Sequence, residues 1–527
     1  MIKSGIAIIT SIIIVLFFLS MGQTGAQTSE EPIKLRFMEN LGRGLVAINQ
    51  GNGRVYVGWR LLGTDPNEIS FNLYRSAGGA LPVKLNDQPI TQNTNFIDTG
   101  VDLNQPNSYF VRPVLDGQES GSVAGGCVPF LLQANAPIQQ YISIPLQTPN
   151  GYTPNDASIG DLDGDSEYEI VLHQTGVSQD NAYEGFTSEP ILQAYKLDGT
   201  FLWEINLGRN IREGAHYTQF MVYDLDSDGR AEVACKTADG TIDGMGNIIG
   251  DPNADYRNAS GRILDGPEFL TIFDGLTGAA LVTTDYIPPR GSVTSWGDNY
   301  GNRCDRFLAC IAYLDGERPS LVMCRGYYHG RDGYCGRTVL AAWDWRNGLL
   351  THRWTFTAIE DGVNDEYTGQ GNHNLAVGDV DGDGKDEIVY GACCIDDDGT
   401  GLYSTGLGHG DAMHLGDLDP DRPGLEVFDI HEGSGHPVGA EFRDANTGEL
   451  IWGISAGDVG RGCAGDIYAG NPGAEMWAAG GISGLRDRYG NNIGRKPGST
   501  NFLVWWDAGV HLLFVGRFFR PPKALQT

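Results

Sequence analysis

The sequence predicts an all-β protein, a multi-bladed β-propeller behind an N-terminal β-sandwich. Three observations carry this reading. An Asp-rich block recurs from residue 160 onward, and each copy runs into an apolar, β-branched strand. Between the blocks lie segments that read strand, DG or NG turn, strand, which completes one blade per repeat. Helical periodicity is almost absent after residue 140. Glycine supports the same view: 75 of 527 residues is about twice ordinary usage, as many tight turns require. A chain of this length exceeds one ordinary core, so a large closed architecture or several domains is expected.

In chain order, residues 4–20 form an apolar run behind Lys3, followed by the small residues of MGQTGAQ. This reads as a secretory signal peptide, residues 1–26, cleaved near Ala26, rather than an uncleaved anchor. A secreted protein with no stable membrane span after cleavage is therefore expected. Residues 32–135 read as one β module, with strand-like VYVGWRLL (55–62), ISFNLYRS (69–76), NFIDTG (95–100) and NSYFVRPVLDG (107–117). Trp59 with the FNLYR and YFVRPV strands resembles a fibronectin type III sandwich. A linker at 133–141 leads to the propeller, residues 140–507. Its blocks are GDLDGDSEYEIVL (160–172), YDLDSDGRAEVAC (223–235), GDVDGDGKDEIVY (378–390) and GDLDPDRPGLEVF (416–428), with weaker copies at 312–324 and 464–477.

Charge is lopsided: 36 basic against 67 acidic residues, a net of −31. This argues against a nucleic-acid partner, whose phosphates need a basic surface. The arrangement of the acids points to cations instead. Carboxylates fall at positions 1, 3, 5 and 9 of the first three of these blocks, with small residues between them that let the loop curl. Calcium takes six to eight oxygens, and position 7 can offer a backbone carbonyl. Asp161, Asp163, Asp165, Glu167 and Glu169 fit this pattern, as do Asp224, Asp226, Asp228, Arg230 and Glu232. Asp379, Asp381, Asp383, Lys385 and Glu387 form the third set, and Asp417, Asp419, Asp421 and a displaced Glu426 the fourth. A solvated acidic turn would explain one such block but not four. Several calcium ions, mostly structural, are expected.

The nine cysteines are scattered, with no CxxC, so zinc and thioredoxin chemistry are not indicated and buried free thiols are expected for most. Polar residues crowd three further blocks, GAHYTQF (214–220), GQGNHN (369–374) and GLGHGDAMHLGD (406–417). His373, His409, Asp411 and Glu432 would gather on neighbouring blade loops at one end of the axis, as a second kind of metal cage.

Longer stretches add a resemblance. RFMENLGRGLVAI (36–48), GAHYTQFMVYDLDSDGRAEVACKTADGT (214–241), SWGDNYGNRCDRFLA (295–309), GLYSTGLGHGDAMHLGDLDPDRPGLEVF (401–428) and DVGRG (458–462) resemble rhamnogalacturonan lyases of polysaccharide lyase family 11. The similarity runs from about residue 35 to 507. It implies an eight-bladed, calcium-dependent propeller that cuts the alternating rhamnose–galacturonate backbone of pectin by β-elimination. The partner implied is an acidic plant polysaccharide, and a monomer is expected. The resemblance places Asn155 on sugar and Asp156 on calcium. His373, Asp396, His409, Asp411 and Glu432 match its metal-binding positions, and Arg461 matches an arginine of the active site.

Two stretches depart from the pattern. The family often carries a Trp-Asp pair after the first block, and Thr175 stands where that Asp would be. Beyond STNFLVWWD (499–507) the similarity stops, and the apolar, basic tail 508–527 reads as a frameshifted or truncated end. The propeller is then expected to be incomplete and the activity impaired, because the family's C-terminal Asn-Gly-Thr-Lys stretch, with its candidate base, has no counterpart here. A non-catalytic, calcium-dependent propeller that binds polysaccharide or a cell surface is the alternative of a different class. A hydrolase with paired carboxylates is a weaker third, since those carboxylates are committed to the blocks.

Overall fold

The computed structural model describes residues 36–503 apart from 64, 121–127, 434–437, 469 and 502. The signal segment and the tail 508–527 lie outside the described residues. The described chain is almost wholly β, with two short 3-10 turns at Val293–Trp296 and Asp365–Tyr367. Among the described residues no helix is long and apolar enough to cross a membrane.

The N-terminal module is two antiparallel sheets. One pairs Val46–Gly51, Arg54–Gly58 and Asn95–Thr99, and the other is built on Ser70–Ala77 against Asn107–Leu115. Alternating residues of both sheets meet in one core of Val55, Val57, Trp59, Phe71, Leu73, Tyr109 and Val111. An arm ahead of this module crosses the acidic blocks. Gly42 N–H donates to Ser166 O at 2.6 Å, Phe37 N–H to Glu317 O at 2.7 Å, and Arg36 pairs with Asp386 at 2.8 Å.

Residues 153–494 form six antiparallel sheets, each a meander in sequence order with one hairpin added to the first. Their first strands are Thr153–Gly160, Phe220–Tyr223, Phe307–Ala312, Ala376–Gly378, Gly410–Gly416 and Gly462–Gly465. Each first strand packs against the first strand of the next sheet. Every acidic block, weak copies included, is the loop from a first strand to the second. The blocks also touch in series: Ala231 N–H donates to Asp161 O at 2.7 Å, and Ala474 N–H to Leu418 O at 2.8 Å. All six blocks therefore share one end of the assembly. The residues that precede first strands or follow second strands share the opposite end.

The first, second and third of the four full blocks close their loops the same way. The first Asp accepts backbone N–H groups from inside the turn: Gly164 and Ser166 to Asp161, Asp228 and Gly229 to Asp224, Gly382 and Gly384 to Asp379. Positions 4 and 6 take positive φ, at Gly164 and Ser166, Ser227 and Gly229, and Gly382 and Gly384. Glycine meets that demand without a Cβ penalty, and the two serines meet it at a cost of order 1 kcal/mol.

The apolar clusters lie between successive sheets, for example Leu308, Val322, Leu340, Phe356, Ile388 and Tyr390 between the third and fourth. The described cysteines form no disulfide, and Cys235, Cys304, Cys310, Cys324, Cys393 and Cys394 are buried thiols in this packing. Between the second and third sheets Glu268 meets Arg325 at 2.7 Å, Arg290 at 2.8 Å and Lys236 at 3.3 Å, all buried. Burial opposes its charge, but the three cations hold it ionised. Removing the carboxylate leaves Arg290 and Lys236 buried without their ion-pair partner and Arg325 with only Asp305 at 3.5 Å, so Glu268→Ala should cost about 3–5 kcal/mol in chemical denaturation. A loss below about 1 kcal/mol, the scale of an exposed pair, would contradict this account of the interface.

Candidate functional site

The acidic blocks bring their carboxylates together as their spacing predicts. Asp161, Asp163 and Glu169 offer ligand atoms within 4.8 Å of one another, as do Asp224, Asp226 and Glu232, and Asp379, Asp381 and Glu387. The last acid of each block turns one oxygen to a backbone N–H: Glu169 to Leu162, Glu232 to Leu225, Glu387 to Val380, Glu426 to Leu418. Its other oxygen faces the loop. Glu387 Oε1 and Asp226 Oδ1 are buried without a hydrogen-bond partner, as ligand oxygens awaiting a cation would be.

Not every block is open to the same degree. In the first, Lys196 from the third strand of its sheet touches Asp163, lies 3.2 Å from Asp165 and 3.8 Å from Glu169. Asp165 also caps the N–H of Glu167, whose side chain is 4.0 Å from Arg60. In the second, Arg230 turns outward to Asp228 at 3.2 Å. In the third, Lys385 pairs with Asp383 at 2.9 Å and Asp397 at 3.1 Å. Asp396 sits beside Asp397 in the turn after Cys393–Ile395, so the hairpin returns it to the block end, away from His373. In the fourth, Arg488 reaches from the sixth sheet to Asp419 at 3.2 Å and to Asp421, and Arg422 lies 3.7 Å from Glu426. Guanidinium groups supply much of the positive charge there. Asp417 opens that loop at the end of Gly410–Gly416.

The opposite end holds a different cluster. His373, His409 and Asp411 offer ligand atoms within 4.8 Å of one another, from the segments entering the fourth and fifth sheets. His409 Nδ1–H donates to Gly371 O at 2.5 Å, which fixes the tautomer and leaves a lone pair on Nε2. That Nε2 is buried without a hydrogen-bond partner, 3.9 Å from Glu432 Oε2. His373 Nε2 lies 3.3 Å from Asp411 Oδ1 and 3.1 Å from the Tyr328 hydroxyl, while Nδ1 faces the Tyr327 hydroxyl at 3.3 Å. Burial, with Arg306 and the neighbouring rings, pushes His373 down to about 2 and His409 down to about 3, so both are neutral imidazoles that could bind a metal. Asp411 and Glu432 are raised by burial. Arg461 Nη1 is 3.3 Å from Asp411 Oδ2, and the side chain is 52% exposed. Its guanidinium bridges the cage to solvent. Asn155 and Asp156 are exposed near the start of Thr153–Gly160, at this same end, with Thr175 paired opposite Thr153.

Four side chains of this cluster went unassigned by sequence reasoning. His216 packs on His373, with ring centroids 5.0 Å apart, and burial lowers it to about 4. Tyr327 stacks on His409 at 5.3 Å, and Tyr328 lies 4.2 Å from the same ring. Buried Arg306 lies over Tyr328 at 5.3 Å. His216 stood in a crowded polar block, and Arg306 in a stretch quoted for the family resemblance. The two tyrosines end a strand of the third sheet and carried no motif.

Comparison with known proteins decides the family. The model described as "Rhamnogalacturonan lyase family 11, C-terminal domain" matches residues 141–514. The chain belongs to rhamnogalacturonan lyase family 11. A second model, the "Rhamnogalacturonan I lyases beta-sheet domain", matches residues 36–126. Among relatives of this family 11 chain, rhamnogalacturonan exolyase YesX of Bacillus subtilis is 53% identical, over 90% of this chain and 77% of the relative. Rhamnogalacturonan endolyase YesW of the same organism is 51% identical, over 92% and 76%. The Bacillus licheniformis rhamnogalacturonan lyase PL11 structure superimposes with a TM-score of 0.81 at 56% identity, covering 90% of this chain and 79% of that one.

The blocks lead to an expectation that cations and pH act on stability together. Without an ion, burial pushes Glu169 up to about 7 and Glu232 and Glu387 up to about 8. A carboxyl raised in the folded state favours folding while it stays protonated. That contribution is lost as pH rises from the unfolded value of 4.5 toward 8. Chelated protein should therefore melt at progressively lower temperature between about pH 5 and pH 8. Calcium should raise the melting temperature by mass action and flatten the profile. A melting curve indifferent to chelator would remove the structural-cation reading of the blocks.

Proposed function

We propose that this family 11 chain is a secreted, calcium-dependent lyase that cuts the rhamnose–galacturonate backbone of pectin by β-elimination. The observation that carries the reading is the cage end, where His373, His409, Asp411, Glu432 and the exposed Arg461 converge on a family 11 framework. Six meander sheets with their first strands packed in series support a β-propeller as that framework. Two sheets around one core support a fibronectin-like sandwich ahead of it.

The chemical difficulty is the weak acidity of the galacturonate C5–H beside a carboxylate. A cation held by His373, His409, Asp411 and Glu432 would supply Lewis-acid stabilisation of the charge that develops on that carboxylate. In the elimination the C5 proton passes to a base, the C4–O bond breaks and a C4=C5 double bond forms; the residues named below bind and orient the substrate for that step. Asp411 orients Arg461 through its 3.3 Å contact, so the guanidinium presents its free N–H groups to the substrate carboxylate or the departing C4 oxygen. Tyr327 holds His373 at Nδ1, which leaves Nε2, beside Asp411 and the Tyr328 hydroxyl, to face the cage. Buried Arg306 adds positive potential that a polyanion needs to approach a protein of net charge −31. Asn155, at the start of its strand, is a sugar contact in this reading.

Activity is followed through the ultraviolet absorbance of the unsaturated product on rhamnogalacturonan, with and without chelator. Product should appear and should vanish on chelation. No absorbance rise from intact, cation-loaded protein would overturn the lyase assignment. Arg461→Ala should lower turnover by about 10²-fold or more at unchanged melting temperature, the scale of one lost transition-state charge contact. Turnover within a few-fold of the parent would return Arg461 to a surface ion pair with Asp411.

A further inference from the structure

Directly behind the cage lies a second charged cluster that no step above uses. Asp429, His431, Glu441 and Arg443 project from the second and third strands of the fifth sheet, and all are 0–1% exposed. Arg443 lies 3.2 Å from Asp429 Oδ2, touches Glu441 and donates to Gly391 O. His431 Nε2 is 3.3 Å from Glu441 Oε1. Arg443 therefore stands where a cation would sit among these carboxylates.

The outward contacts of this cluster are directed at one place. Asn372 Nδ2 donates to Asp429 Oδ1 at 2.6 Å, and Asn372 immediately precedes His373. His431 Nδ1 meets Gly408 O at 3.1 Å, and Gly408 immediately precedes His409. The backbone repeats the pattern. Val459 N–H donates to His431 O at 3.3 Å, two residues before Arg461, and Glu432 follows His431 in the chain. Four side chains at the cage end are thus each one or two residues from an atom tied to a single buried cluster.

We propose that Asp429, His431, Glu441 and Arg443, with Asn372, form a positioning network that holds the segments bearing His373, His409, Glu432 and Arg461 in one arrangement. The proposal deepens the reading of the cage as a metal site. A merely structural cluster would stabilise the fifth sheet as a whole. A positioning network must in addition control order at those four segments and nowhere else.

The test uses full-length Asn372→Ala and His431→Leu, with His431→Gln as the conservative variant, whose amide can still reach Gly408 O. Amide hydrogen exchange is read in chelated protein, so no bound metal enters the comparison. Exchange should accelerate about tenfold or more at 371–373, 408–411, 432 and 459–461, remain as in the parent at the first three acidic blocks, and recover largely in His431→Gln. Unchanged exchange at those segments, equal acceleration over the chain, or identical behaviour of the Leu and Gln variants would overturn the proposal. Should His431→Leu fail to fold, Asn372→Ala, which removes one neutral amide, decides alone. A calcium titration against His373→Ala/His409→Ala identifies the binding step of the cage. That step should weaken by about 10- to 100-fold in Asn372→Ala, the usual cost of losing an outer-shell partner. A parent titration identical to that of the double variant would overturn the cage reading, and the exchange result would still decide the positioning claim.

Discussion

A carboxylate taken out of water must be neutralised, by a proton, a neighbouring cation or a metal ion. The architecture depends on meeting that demand many times over. The first and last acids of the principal blocks are buried: Asp161 and Glu169, Asp224 and Glu232, and Glu387 of the third. These blocks are also the loops that set the first hairpin of every sheet and that touch from sheet to sheet. Charge and topology therefore meet in the same residues. Where a side-chain cation reaches the loop, as Lys196 and Arg488 do, part of the demand is met internally. Where oxygens such as Asp226 Oδ1 and Glu387 Oε1 stay unpartnered, a proton or an ion from solution can meet the demand.

The two ends of the assembly divide the work on this principle. The block end is all oxygen and suits hard cations that clamp loops. The cage end mixes two neutral imidazoles with carboxylates, and it is ringed by aromatic rings and by Arg306 and Arg461. Imidazole ligands must stay unprotonated to bind metal, and burial beside Arg306 keeps both in that state. Under the proposed function the same positive potential would serve an acidic polymer. One feature would then both keep the imidazoles neutral and attract the substrate.

How much of this was legible in the sequence follows from the range of each interaction. The blocks are local: spacing within nine residues fixes the turn, the strand that follows and the ligand geometry. All six, including the weak copies at 312–324 and 464–477, mark the first hairpin of a sheet. His373, His409 and Asp411 were legible for a related reason, since each lies a few residues ahead of its own block. What escaped is non-local. Lys196 and Arg488 enter blocks from strands that no short-range pattern connects to them. Tyr327 and Tyr328 reach the cage from a third sheet, at the end of an apolar strand that reads as core. Asp396, matched by the resemblance to a metal-binding position, lies at the block end and not in the cage because a hairpin reverses the chain between it and His373.

The same geometry bears on how relatives can differ. One relative is named an exolyase and the other an endolyase, yet they are 53% and 51% identical to this chain. Block spacing, sheets and core set the fold that all three share, so they cannot set the mode of cutting. Under the proposed function, which puts cutting at the cage end, the residues free to vary that mode are those at this end that carry no part of the framework. Thr175 is one, at the tip of a second strand beside Thr153 and close to exposed Asn155. The segment between that strand and the third is another, with Tyr183 and Phe186 more than half exposed and Asp180 3.8 Å from buried Arg306. That loop is tied to Arg306 while it presents aromatic rings to solvent, so under the proposed function it would alter contacts to a bound polymer without disturbing the cage residues. That is the property a change of cutting mode on a constant framework requires.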